Sequence, residues 1–157
     1  ILSGPLLGVY MPVAGWKTVL APLLSRLAPS IPIPSGLDPF ALCSDPSLGE
    51  AWLADPLIVT TATPRWFTEM KKALARVHAH ADKYILPLDL HLAEHEQIVN
   101  PQAARDFAGR WGGSVNITGW PGAFHEIHKE PCGPALFQAL SAFARGEISS
   151  DQARVSR

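Results

Sequence analysis

The pattern of apolar and polar positions divides the chain in two. Over WKTVLAPLLSRLA, apolar residues recur at Trp16, Val19, Leu20, Leu23, Leu24 and Leu27, which is helical spacing with one apolar face. Pro22 falls inside that run, so a kink or a break is expected there. TPRWFTEMKKALARVHAHA carries a second such face through Trp66, Phe67, Met70, Leu74 and Val77, opened by a Thr63 cap and Pro64. Between them, SDPSLGEAWLADP predicts a short helix. Ser44 or Asp45 can cap it, Pro46 suits its first turn, and Asp55-Pro56 stops it. Residues 5–15 read as loop, and the proline-rich 29–39 as a connection. Both apolar faces are expected to be packing surfaces, with a pocket lining as the sharper alternative.

The period changes near Leu86. In LPLDLHLA, Leu88, Leu90 and Leu92 alternate with Asp89 and His91, which predicts a strand with one apolar and one polar face. Asn100-Pro101 opens a helix that runs through Phe107 to about Arg110. SVNIT (114–118) is a second strand. CGPALFQALSAFARG is a last helix with Leu136, Phe137, Leu140 and Phe143 on one face, ended by Gly146. Residues 147–157 are a polar tail. At the other end, ILS reads as a short apolar strand with SGP as its exit turn. A chain that opens inside a buried strand reads as part of a larger protein. A mainly helical first half is thus followed by strand–helix–strand–helix, whose parallel strands need helices on both faces.

Composition narrows the function classes. With 157 residues the chain can bury a substantial core. A formal net charge of −1 leaves no electrostatic footprint for nucleic acid. The apolar opening ILSGPLLGVYMPVAGW could be mistaken for a signal or a membrane span, but it lacks a basic leader, and Pro5, Pro12, Gly4, Gly8 and Gly15 break it up, so neither is expected of this stretch. Cys43 and Cys132 form no CxxC pair and read as free thiols.

The candidate chemistry lies in GWPGAFHEIHKEP. A histidine after a glycine turn, just past a strand end, sits where α/β folds place their sites. As a general base, His125 needs an acid to fix its tautomer and a nucleophile to deprotonate. LAEHEQIVNP (92–101) follows the preceding strand and supplies Glu96. Parallel strands put their carboxyl ends on one edge of the sheet, so Glu96 and His125 can meet there. Metal readings are weaker. HEIH misses the HExxH spacing, and His91 and His95 span a strand end rather than a helix turn.

LPLDLHLAEHEQIVNPQAARDF followed by NITGWPGAFHEIHKEP resembles the C-terminal part of the monoacylglycerol lipase and lysophospholipase branch of the α/β-hydrolases. In that branch a proline-led strand ends in Gly-x-x-Asp-x-Ile-Val-x-Pro, and a second strand leads into a Pro-Gly-x-x-His-Glu turn. Laid on this pattern, the acid is Glu96 and the histidine is His125. Glu94 fits it less well. GLDPFALCSDPSLGEAWLADPL resembles the helical cap of that branch, and ILSGP the strand before the cap. The likeness extends to about Gly146.

The resemblance implies an α/β fold: the C-terminal portion of an α/β-hydrolase, with few parallel strands, flanking helices and a helical cap. Residues 1–4 would be a core strand, 5–82 the cap, 83–146 the C-terminal core with the acid and histidine loops, and 147–157 the tail. It also implies a serine hydrolase cleaving a lipophilic carboxylic ester, a monoacylglycerol or lysophospholipid, with no metal or organic cofactor. The cap could touch a membrane surface.

In the family the order is Ser, acid, His, with the serine in G-x-S-x-G. No such motif occurs here. Ser114 lacks the glycine spacing, and Ser3 corresponds to a strand after the elbow. The nucleophile is therefore expected before Ile1, and the isolated chain is expected to be inactive. The alternative is a non-catalytic remnant that binds lipid or a partner.

The chain also departs from the family in one motif. The acid is Glu rather than Asp, Ala93 replaces Gly, and Asp89 and His91 interrupt an apolar strand. A longer acid shifts the carboxylate by about 1 Å, and a misplacement of that size can cost about 10²-fold.

Overall fold

The computed structural model of the chain describes residues 1–10 and 15–147. The tail expected from 147 therefore lies outside the described residues except for Glu147, as does part of the loop expected over 5–15.

Three strands form a parallel sheet in the order β1–β4–β5: β1 is Leu2–Ser3, β4 Leu88–Ala93 and β5 Val115–Trp120. Leu2 aligns with Leu90, and Leu88 to Ala93 align one by one with Val115 to Trp120. The β4-to-β5 crossover is α4, Pro101–Ala108. The final helix is α5, Gly133–Ala144.

Side chains alternate across a strand, so β4 presents Leu88, Leu90 and Leu92 to one face and Asp89, His91 and Ala93 to the other. The first set packs with Ala104, Phe107 and Ala108 of α4 and with Leu7 and Ala81. Ala93 joins Ala123, Ile127 and Leu136 in a second cluster that includes α5. β4 is thus covered on both faces, and all six of its residues are buried.

This corrects the polar face expected for β4. Asp89 and His91 are both 0% exposed. Their burial is tolerated because they satisfy each other. His91 Nε2–H donates to Asp89 Oδ2 at 2.9 Å, and Asn116 Nδ2 donates to Asp89 Oδ1 at 2.7 Å. The Trp120 indole N–H donates to His91 Nδ1 at 3.2 Å.

The first half holds α1 (Gly15–Leu27), α2 (Pro46–Ala54) and α3 (Pro64–Ala79). The expected caps form. Asp45 accepts from Ser47 N–H at 2.9 Å, Thr63 from Trp66 N–H at 3.2 Å, and Asn100 from the N–H groups of Gln102 and Ala103 at 2.9 and 3.1 Å. Each is followed by a proline whose missing N–H is no loss in a first turn.

Three features differ from expectation. The break at Pro22 does not occur: α1 runs through it, and Pro22 lies exposed, where solvent can serve the carbonyl that its missing N–H leaves open. The connection over 29–39 contributes a strand, β2 (Ile33–Pro34), paired antiparallel with β3 (Thr61–Ala62). Finally, the α1 face is only partly a packing surface. Ala21 is buried and Ser25 Oγ meets Thr68 Oγ1 of α3 at 2.9 Å, yet Val19, Leu20, Leu23 and Leu27 are exposed. Among the described residues no helix is long and apolar enough to cross a membrane.

Candidate active site

Both candidate loops leave the carboxyl ends of neighbouring parallel strands. The acid loop follows β4 and the histidine loop follows β5, so the sheet itself delivers Glu96 and His125 to one edge. They meet there. His125 Nδ1–H donates to Glu96 Oε2 at 2.9 Å. Glu94, the other carboxylate of the loop, is exposed and takes no part in this bond.

Glu96 is built in on its other side. Its Oε1 accepts the N–H groups of Ile98 and Val99 at 2.9 and 3.2 Å. Only 2% of the Glu96 side chain is exposed, against 24% for His125. Burial pushes the carboxyl pKa up, but the hydrogen bond from His125 and those from the two backbone N–H groups outweigh it and hold the pKa below the ordinary glutamate value. The group is therefore an ionised acceptor at neutral pH. It holds the proton of His125 on Nδ1, and Nε2, which makes no hydrogen bond among the described residues, is left as the basic nitrogen.

The longer side chain does not displace the acid from the base. At the turn Glu96–Val99 the carboxylate caps two backbone donors and still reaches the ring.

Further contacts brace the pair. His95 N–H donates to the Ala123 carbonyl at 2.9 Å, and its ring stacks on Phe124 with centroids 5.3 Å apart and planes 9° from parallel. The segment after β1 lies alongside: Asn100 N–H donates to Gly8 O at 2.8 Å, and Tyr10 N–H to Ile98 O at 3.0 Å. Gly4 adopts a φ of +50°, and a Cβ there would sit 3.5 Å from the His125 ring and 3.2 Å from its carbonyl oxygen. Glycine satisfies both the left-handed backbone and the close approach.

Besides Asp89, a second buried carboxylate was not foreseen. Glu130, in EIHKEP, is 5% exposed. Nothing local in the sequence marks it, because its main partner, Ser44, lies 86 residues away. Two other histidines are engaged elsewhere. His91 is sealed in the sheet. His78 accepts from Arg110 at Nδ1 and donates from Nε2 to Leu7 O, each at 2.7 Å. Among the described residues no three His, Cys, Asp or Glu side chains gather as a metal site.

A parallel sheet crossed by helices, with an acid and a histidine leaving adjacent strand ends, defines the C-terminal portion of an α/β-hydrolase. Within that class the chain belongs to the hydrolase family described as serine aminopeptidase, S33, whose profile matches residues 1–132. It is 28% identical over 145 residues to phospholipase YtpA of Bacillus subtilis, covering 91% of this chain and 56% of that protein. To the monoacylglycerol lipase of Mycolicibacterium smegmatis it is 26% identical over 133 residues, covering 83% of this chain and 47% of that one. The crystal structure of a monoacylglycerol lipase from Paleococcus ferrophilus superimposes with a TM-score of 0.86 at 23% identity, over 93% of this chain and 58% of that structure. The chain thus spans about half the length of the curated relatives it matches.

Proposed function

We propose that the protein is a serine hydrolase of carboxylic esters, and that its substrate is a monoacylglycerol or a lysophospholipid. The observation that carries this reading is the 2.9 Å bond from His125 Nδ1 to a buried Glu96 whose other oxygen is fixed by two backbone donors. A base oriented in this way has one task available to its Nε2: to take a proton from a nucleophile and later return it to a leaving group.

In this reading His125 deprotonates a serine, which attacks the ester carbonyl. The imidazolium then protonates the departing alcohol. Water, deprotonated by the same nitrogen, hydrolyses the acyl-enzyme. Glu96 stabilises the imidazolium without itself taking the proton. No metal or organic cofactor is required. No G-x-S-x-G occurs in the 157 residues, so the nucleophile is assigned to polypeptide outside them. Residues 5–82 act as the cap, and their apolar side chains serve the acyl chain or meet a lipid surface. The lipid-ester assignment is supported by relatives that carry phospholipase and monoacylglycerol lipase names.

The test is labelling of the complete protein with a serine-reactive fluorophosphonate. Labelling that is abolished by His125→Ala is the expected result. A full-length protein that takes no label and turns over no ester would favour the second reading, a non-catalytic lipid-binding remnant, which the missing elbow motif keeps in view.

A further inference from the structure

Glu130 lies five residues beyond His125, at the end of the 3-10 turn Ile127–Lys129. Its carboxylate has no Lys or Arg partner among the described residues. Three donors hold it instead, two from Ser44 far along the chain and one from Phe124 in its own loop. Oε1 accepts the Ser44 N–H at 2.8 Å and the Phe124 N–H at 3.1 Å, while Oε2 accepts the Ser44 hydroxyl. The same two segments are joined twice more. Glu126 N–H donates to Leu42 O at 2.8 Å, and Cys43 Sγ lies 3.7 Å from Lys129 O. Leu42 and Cys43 are themselves buried. The Leu42–Ser44 strap that leads into α2 is thus fastened across the histidine loop.

The donors are placed to matter. Phe124 immediately precedes His125, and its ring stacks on His95 of the acid loop. A buried carboxylate left with broken hydrogen bonds is strongly disfavoured, so Glu130 holds the Phe124 amide and the strap at fixed positions together.

We propose that Glu130 is a positioning residue, which sets the His125 loop through the Phe124 amide and ties it to the Leu42–Ser44 strap. This rests on His125 being the catalytic base, and it adds a contact from the helical half to the base's own loop. The acid partner orients the ring, and Glu130 orients the backbone that carries it. Loss of Glu130 should leave the Glu96–His125 bond possible but misplaced relative to the reacting atoms.

The experiment compares Glu130→Gln, Ser44→Ala, the double variant and His125→Ala in the complete protein, with a short-chain p-nitrophenyl ester as probe. Because a misplacement of about 1 Å costs about 10²-fold, a partial loosening should lower kcat of Glu130→Gln by about 10-fold while KM stays within about twofold. The pH profile of kcat/KM should shift with it. Ser44→Ala keeps the carboxylate and one of its strap bonds, so its loss should be about threefold. The double variant should lose no more than Glu130→Gln alone, because the two side chains act as one unit.

Wild-type kcat and pH profile in Glu130→Gln, with His125→Ala inactive, would overturn the inference while leaving the catalytic reading intact. Activity retained in His125→Ala would overturn both. If Glu130→Gln does not fold, Ser44→Ala decides, and an unchanged kcat and pH profile in that variant would also overturn the proposal.

Discussion

In the half built from β4, α4, β5 and α5, Leu90, Ile127 and Leu136 are sealed, and even the polar Asp89 and His91 are closed off from solvent. In the helical half, Val19 is 76% and Leu57 86% exposed, and Leu23, Leu27, Leu53 and Val59 also face outward. Both halves are rich in apolar residues, but they use them differently. The first half is fastened to the second by apolar packing of Leu7 and Ala81 against β4 and α4, and by polar contacts of His78 with Arg110 and of Ser44 with Glu130. The contrast separates two jobs. One half holds two side chains to hydrogen-bond accuracy. The other leaves much of its apolar surface exposed, in keeping with the cap role proposed for it.

Removing the base should break this contrast most sharply. In the complete protein, His125→Ala is expected to lower ester turnover by about 10²- to 10⁴-fold without lowering the melting temperature appreciably. Glu96→Asp sharpens it. Asp suits the family pattern, but the turn over Glu96–Val99 is fitted to the longer acid. Asp would be drawn back from the ring, and turnover should fall by about 10²-fold, a loss that steady-state kinetics would resolve. An equal or faster Glu96→Asp enzyme would mean that the loop readjusts.

Stability should follow the same division. Leu90→Ala empties a fully buried site between β4 and α4 and should destabilise by about 2–5 kcal/mol in urea titration. Acid should act next. Glu96 and Glu130 both have pKa values held below the ordinary glutamate value, because their hydrogen bonds outweigh burial. The stability they contribute is complete above about pH 4.3, the unfolded-state value, and is lost as pH falls through the depressed folded values. Glu130→Gln should therefore flatten the acid limb of a stability–pH curve. Val19→Ser, on the exposed face of α1, should change stability by less than about 0.5 kcal/mol. A large loss there would mean that this face is covered in the complete protein.

Local chemistry made much of this legible in advance. Asp45, Thr63 and Asn100 announce their helices because a cap and a first-turn proline act within three residues. The Glu96–His125 pair was also readable, because a parallel sheet brings successive strand ends together and the flanking motifs resemble a known branch of hydrolases. Three features were not readable. Asp89 and His91 mimic a solvent-facing strand edge, and their burial depends on Asn116 and Trp120, which only strand pairing supplies. Glu130 has no local mark of burial, because Ser44 arrives from far along the chain. The exposure of Val19 and Leu27 has no local signature, since an amphipathic spacing looks the same whether or not its apolar face is covered.

The Asp89–His91 pair also bears on how the chain finds its own alignment. Asp89 faces Asn116 across β4 and β5, and His91 takes the indole N–H of Trp120. Sliding β5 by one residue would turn both partners to the opposite face and leave the enclosed Asp89–His91 pair without the Asn116 and Trp120 donors. An all-apolar strand would tolerate several such alignments almost equally. This one favours the register that sets the Glu96 and His125 loops side by side.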